Sequence, residues 1–253
     1  MIQAYFKGKL VIQENRVKQN EDFKTSSSVG LLQYLPDDVF WNIMQNCCVG
    51  LNVEDFGKTL SFNYWEHTDP KGTTNEYFVE PDVWIETSKY DILIEAKVSD
   101  GIGQYGQQWK NEIQSILNEQ SNKGYQKKII LFALGGNESM HKETTLGYPV
   151  YKVSWYNLMN AVVNERERQK EEGALCRILD DVIELFAHQG IMRIQWLKTL
   201  PMFFVDDKAL SLWKVCKHKT RLGFSTISTM SINENINEIN ILKWNPIDQQ
   251  KNN

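Results

Sequence analysis

Asp82, Glu95 and Lys97 put two hard oxygen donors and one ammonium into a short stretch of chain. Two carboxylates suit Mg²⁺, which keeps several of its waters and takes phosphate oxygens as further ligands. A cation held this way lowers the pKa of a bound water and neutralises charge developing on a phosphate. A lysine beside it orients the water or stabilises the added negative charge. The neighbouring carboxylates hold the lysine pKa up while desolvation opposes them, and the sequence leaves that balance open. The chemistry such a trio supports is metal-assisted attack on a phosphodiester.

The elements that must position these residues are two short apolar runs, Val83-Trp84-Ile85 and Ile92-Leu93-Ile94, separated by the turn-like Thr87-Ser88-Lys89. They predict a β-hairpin. Strand side chains alternate between faces, so Leu93, Glu95 and Lys97 share one side and Ile92, Ile94 and Ala96 the other. Asp82 opens the first strand and lies across from the end of the second. A solvated Glu–Lys pair at a sheet edge has the same local pattern, so the hairpin by itself leaves both readings open.

Pro81-Asp82, twelve intervening residues and then Glu95-Ala96-Lys97 resemble the signature of the PD-(D/E)XK nuclease superfamily. The resemblance implies that Asp82 and Glu95 are metal ligands, that Ala96 offers its backbone carbonyl, and that Lys97 assists the nucleophilic water. Some branches carry a glutamine on the following helix, with an aromatic residue one turn on. Gln104-Tyr105-Gly106-Gln107-Gln108-Trp109 is similar, but Gln108 stands where a tyrosine is commoner. Many branches also place an acid on the first helix. Glu21-Asp22-Phe23-Lys24-Thr25 resembles that segment and makes Glu21 the fourth acid. A helix-start acid favoured by the helix dipole is the alternative for Glu21. Ordinary solvent exposure is the alternative for Gln104. The similarity spans roughly residues 15 to 190.

The surrounding pattern is that of an α/β chain. Thr25 to Ser28 offer N-cap hydroxyls ahead of the helically spaced Val29, Leu31, Leu32 and Leu35. Pro36-Asp37-Asp38 imitates the first nuclease motif. It leads into helically spaced Val39, Phe40, Ile43 and Met44, however, and reads as a helix start. Residues 1 to 14 alternate weakly, with Tyr5, Leu10 and Ile12 facing inward, and predict an edge strand or arm. A strand is expected near 59–66, and a helix from about Gly103 to Glu119 with Trp109, Ile113, Ile116 and Leu117 buried. In that helix Gln104 and Gln108 share a face. The near-continuous apolar run 128–134 predicts a central strand covered on both sides, and 148–154 another strand. Two further helices follow, from Trp155 and from Leu175. The expected architecture is a restriction-endonuclease-like mixed β-sheet flanked by helices, with C-terminal additions.

Composition narrows the function. A formal net charge of −4 argues against a broadly basic nucleic-acid coat but leaves room for a local basic groove. Cys47, Cys48, Cys176 and Cys216 form no CxxC pair, and the four histidines are scattered, so a structural zinc site is not expected. Reduced thiols, no signal-peptide pattern and no membrane-length apolar run point to a cytoplasmic chain with no membrane association. Residues 1–192 form the expected nuclease-like domain, and 193–253 a C-terminal extension packed on it. Between 193 and 223 seven basic residues face two aspartates, with Trp196, Phe203, Phe204 and Trp213 interleaved. Lys214, Lys217, Lys219 and Arg221 are the expected nucleic-acid contacts there; an aromatic extension with solvated lysines fits as well. The expectation from residues and resemblance together is an Mg²⁺-dependent deoxyribonuclease, with Mn²⁺ able to substitute. Its partner is DNA, joined by a second copy of the chain in a homodimer or by a targeting protein. A catalytically inactive nucleic-acid-binding or scaffolding relative is the alternative.

Overall fold

The computed structural model describes residues 2–191, apart from 14, 15, 19, 102, 138, 140, 171 and 172. The elements run α1 (Ile2–Phe6), β1 (Ile12–Gln13), β2 (Arg16–Val17), α2 (Glu21–Leu32), α3 (Asp37–Asn46), β3 (Thr59–Tyr64), β4 (Val83–Thr87) and β5 (Tyr90–Ala96). They continue with α4 (Gly106–Lys123), β6 (Lys128–Leu134), β7 (Glu143–Thr145), β8 (Tyr148–Val153), α5 (Trp155–Arg168) and α6 (Ala174–His188). Strands β3 to β8 form one sheet in the order β3-β4-β5-β6-β8-β7. The β3–β4, β4–β5 and β7–β8 pairs are antiparallel, and the β5–β6 and β6–β8 pairs are parallel. The protein is thus mixed α/β, with a six-stranded mixed sheet flanked by helices. The expected segment 193–253, with Lys214, Lys217, Lys219 and Arg221, lies outside the described residues.

The predicted hairpin is β4–β5, with Ser88 and Lys89 between the strands and Val83 opposite Ile94. The Thr87 hydroxyl braces the turn by accepting the Tyr90 N–H at 2.8 Å and donating to the Phe56 carbonyl at 2.6 Å. Alternation along β5 divides the core in two. Ile92, Ile94 and Ala96 pack with Ile130, Phe132 and Leu134 under residues of α2, α3, α5 and α6. Leu93 and Trp84 pack with Leu131 and Ala133 under Trp109, Ile113 and Ile116 of α4. Both faces of β5 and β6 are therefore covered, which is why their sequences read as continuous apolar runs. Asp82, Glu95 and Lys97 have the same parity as Trp84 and Leu93 and so belong to the α4 side.

Three expectations are corrected. The N-terminal segment opens as a helix, α1, and Tyr5 is exposed while Ala4 is buried. The helix cap ahead of Val29 is Asn20, whose Oδ1 accepts the Phe23 N–H at 3.0 Å. Thr25 to Ser28 are instead buried inside α2, with Ser28 donating to the Lys24 carbonyl and Ser26 accepting the Ala4 N–H. Small hydroxyl side chains allow close packing on this helix; a local bond satisfies Ser28 and a bond from α1 satisfies Ser26. Helix α4 begins at Gly106, so Gln104 precedes it. The Pro36 segment is a helix start as read, with Asp37 and Asp38 in the first turn of α3. Cys47, Cys48 and Cys176 form no disulfide among the described residues. No helix among the described residues is long and apolar enough to cross a membrane.

After β5 the chain crosses the Gly135-Gly136 pair that ends β6. The Gly136 N–H bonds to Ser99 O at 2.7 Å, and Gly136 O accepts the Gln104 N–H at 3.0 Å. Both glycines have positive φ, and a Cβ on Gly135 would stand 2.8 Å from the carbonyl oxygens of Lys97 and Ser99. Gly124, at the end of α4, has φ of +71° but open space around it. Gly124→Ala should therefore cost about 1–2 kcal/mol of unfolding free energy through backbone strain alone. Gly135→Ala should cost clearly more, because backbone must move as well. Equal losses in urea melts of the two variants would mean that the tight crossing beneath Lys97 contributes nothing.

Candidate metal centre

Three separate elements deliver carboxylates to one point. Asp82 stands immediately before β4, Glu95 near the end of β5, and Glu21 in the first turn of α2. One oxygen from each lies within 4.8 Å of the others. Asp82 and Glu95 are buried, and Glu21 is a third exposed. The Lys97 ammonium pairs with Glu95 and lies 3.4 Å from Glu21 Oε1.

Asp82 is held from two sides. Its Oδ2 accepts the Ala96 N–H at 2.9 Å, which ties the start of β4 to the end of β5. Its Oδ1 accepts the Trp65 indole N–H at 3.0 Å. Trp65 itself adopts φ of +47°, unusual for a bulky residue. That backbone conformation is over-determined by the indole bond and by the Trp65 N–H bond to Asp82 O at 3.2 Å. Each carboxylate oxygen has two acceptor sites, so Asp82 keeps one per oxygen for a cation. Ala96 is thus seen to act on the site through its amide.

The two glutamines sort differently from expectation. Gln104 lies outside the helix and supports the backbone: its amide donates to Glu95 O at 3.0 Å and its Oε1 accepts the Trp109 indole N–H at 2.7 Å. Gln108, in the first turn of α4, is the glutamine that reaches an acid of this cluster, donating to Glu95 Oε1 at 2.6 Å. One turn further on, Glu112 is wholly buried, and its Oε2 has no hydrogen-bond partner among the described residues. Sequence reasoning missed Glu112. Its i,i+4 spacing from Gln108, on the stripe beside Trp109 and Ile113, was the available signal.

The electrostatics follow from burial. Desolvation, then repulsion from Glu95, pushes Asp82 well above the usual carboxylate range. Desolvation and repulsion from Glu112 do the same to Glu95. Glu112 is raised to about 8, chiefly by burial. Glu95 and Glu112 are buried close enough for the charge of Glu112 to oppose ionisation of Glu95. Burial pulls Lys97 down, but Glu95, Glu21 and Asp82 together outweigh it, and its pKa stands above the ordinary lysine value. Lys97 is therefore an ammonium at neutral pH and is the cation nearest the acids. The donor set, three carboxylates and no thiolate or imidazole, fits a hard divalent cation better than zinc.

No protein-family model matches the chain, and no significant match appears among curated proteins or solved structures.

A pH dependence results. A carboxyl raised from about 4.5 unfolded to about 8 folded contributes no penalty below the lower value. As pH rises between the two, the unfolded chain releases its proton first and folding stability is lost. Metal-free protein should thus melt at progressively lower temperature from pH 5 to pH 8. Millimolar Mn²⁺ should raise the melting temperature more at pH 8 than at pH 5, because the ion competes with protons for the same oxygens. Differential scanning fluorimetry across that range checks both slopes; a metal shift that grew towards acid pH would contradict the assignment.

Proposed function

We propose that the protein is a metal-dependent nuclease hydrolysing phosphodiester bonds in DNA, with a restriction-endonuclease-like fold of the PD-(D/E)XK type. The observation that supports this reading most is the convergence of Glu21, Asp82 and Glu95 from three elements, with Lys97 against them. A fortuitous edge pair would leave Glu95 and Lys97 in water. Here Glu95 is 2 % exposed and sits among other acids, an arrangement that costs stability and that an entering cation would relieve.

Glu21, Asp82 and Glu95 would hold Mg²⁺, or Mn²⁺ in its place, and the cation supplies an acidified water and charge neutralisation at phosphate. The rest falls to the chain. Trp65 and the Ala96 amide keep Asp82 from rotating. Gln108 keeps one oxygen of Glu95 in place, as groups behind metal ligands generally do. Lys97 enters the reaction as an ammonium, since its pKa is raised. It therefore serves to place a water and to stabilise negative charge developing on the phosphate, not as a general base. The choice of DNA, and a role in defence against foreign DNA or in repair, follow from the resemblance. A single such centre cuts one strand, so double-strand cleavage would take a homodimer or two successive nicks.

The deciding experiment incubates the full chain with supercoiled plasmid and with linear single- and double-stranded DNA in Mg²⁺, Mn²⁺ or EDTA, beside Lys97→Ala and Asp82→Asn proteins checked for folding by circular dichroism. Metal-dependent cutting should fall about a hundredfold or more in both variants. Cutting that survives both substitutions places the activity elsewhere. Folded wild type inert on every DNA would favour the binding or scaffolding alternative.

A further inference from the structure

The acids gather at the finishing end of β5. Its starting end borders a cavity of about 530 Å³, lined by Lys89, Tyr90, Gln126, Lys127, Lys128 and Tyr148. Tyr90 opens β5 and pairs with Lys128 at the start of β6, and Tyr148 opens the neighbouring β8. Glu95 is five residues further along β5, so the cavity lies roughly 17 Å from the acidic centre. Tyr90 packs against the core on one face of the sheet and Tyr148 against the core on the other. The cavity therefore sits across the end of the sheet and takes one ring from each layer. Its lining is fixed by side chains behind it. Gln120, 2 % exposed, accepts the Lys127 N–H at 3.3 Å and donates to the Lys127 carbonyl at 3.2 Å. The Thr87 hydroxyl accepts the N–H groups of Lys89 and Tyr90, at 3.2 and 2.8 Å.

Three ammonium groups, two phenol rings and one carboxamide line the cavity, and no carboxylate does. Lys128 is exposed and has no ion pair among the described residues. Lys127 stands 3.9 Å from Asp91 Oδ1. Asp91 is wholly buried, however, and its oxygens already accept the Trp84 indole N–H at 3.3 Å and the Gln120 amide at 2.8 Å. Lys89 pairs with Asp55 where both side chains are more than half exposed, and such a pair is worth little in water. Three lysines against these two carboxylates leave one positive charge in excess. Lysine grips phosphate as a point charge. Tyrosine rings offer flat apolar faces, and a carboxamide both donates and accepts. The volume falls in the range of small-molecule sites, roughly 300–1,000 Å³. An inorganic anion alone would leave most of it, and both rings, unused. From this we infer that the cavity binds a nucleoside phosphate, its phosphates on Lys127 and Lys128 and its base against Tyr90 and Tyr148. None of this rests on the nuclease reading.

The test is isothermal titration calorimetry of the full chain in EDTA at low salt, with ATP, tripolyphosphate and adenosine as probes. EDTA keeps divalent cations from the acidic centre. The variants are Lys128→Glu and Tyr148→Leu, with Lys110→Glu making the same charge change at an exposed position near the start of α4. Thermal melts check that all three fold. ATP should bind about tenfold or more tighter than either tripolyphosphate or adenosine. Lys128→Glu should weaken ATP about tenfold and Tyr148→Leu about fivefold, while Lys110→Glu changes it less than about twofold. No ATP binding at millimolar concentration overturns the inference. So does equal weakening by Lys110→Glu and Lys128→Glu, which would mark a diffuse charge effect. Tripolyphosphate binding as tightly as ATP would make the cavity an anion site and remove the base from it. A single-stranded DNA 20-mer that bound tighter than ATP, and lost that binding in Lys128→Glu, would assign the cavity to a polynucleotide and overturn the small-ligand assignment.

Discussion

Carboxylates packed out of water beside one ammonium are the constraint on which the rest of this structure depends. Asp82, Glu95 and Glu112 are all buried, and Glu21 adds a fourth acid at the mouth. Burying unpaired charge is costly, so such groups bind protons, cations or both. Lys97 supplies one positive charge; the remaining demand is what a divalent cation would meet. The site is thus a place where the fold accepts instability, and the surrounding hydrogen bonds are what allow it to persist.

Those hydrogen bonds come from parts of the chain far apart in sequence. Trp65 reaches Asp82 from beyond β3, Ala96 reaches it from β5, and Gln108 reaches Glu95 from α4. Each donor is itself buried or anchored in a regular element, so the acids have little freedom to turn away from one another. The covered sheet makes this rigid. Strands β5 and β6 pair in parallel from Tyr90 with Lys128 to Ala96 with Leu134. Their shared end leads into the segment that crosses Gly135-Gly136. Lys97 is held above that pair by its own backbone, its N–H on Leu134 O and its carbonyl on the Trp155 indole.

Much of the fold was readable in the chain because its signals are local and periodic. The β4–β5 hairpin announces itself by two apolar runs around a turn, β6 by an unbroken apolar run, and α4 by the stripe Trp109, Ile113, Ile116. Pro36-Asp37-Asp38 could be dismissed as a motif because helical spacing follows it. The misreadings share a cause. Ala4 and Ser26 meet across the α1–α2 contact, and no local pattern signals that pairing. The four hydroxyl residues 25–28 resemble a cap, but Asn20 was already capping the helix and tertiary packing buried them. Glu112 joins the acids only because α4 packs on the sheet.

The sequence by itself determined the alternation that puts Glu95 and Lys97 on one strand face, the turn that brings Asp82 opposite, and the class of chemistry three acids and a lysine support. These depend on side-chain period and short-range turn geometry, which the residues carry with them. Only the tertiary structure decided which glutamine touches Glu95, that Glu112 joins the acids, and that Trp65 holds Asp82. It also decided that Glu21 closes the set from another helix. Those contacts depend on where α2 and α4 dock against the sheet and on where α4 starts. Docking is set by the sum of many apolar contacts on two faces, and no single stretch of chain contains that sum.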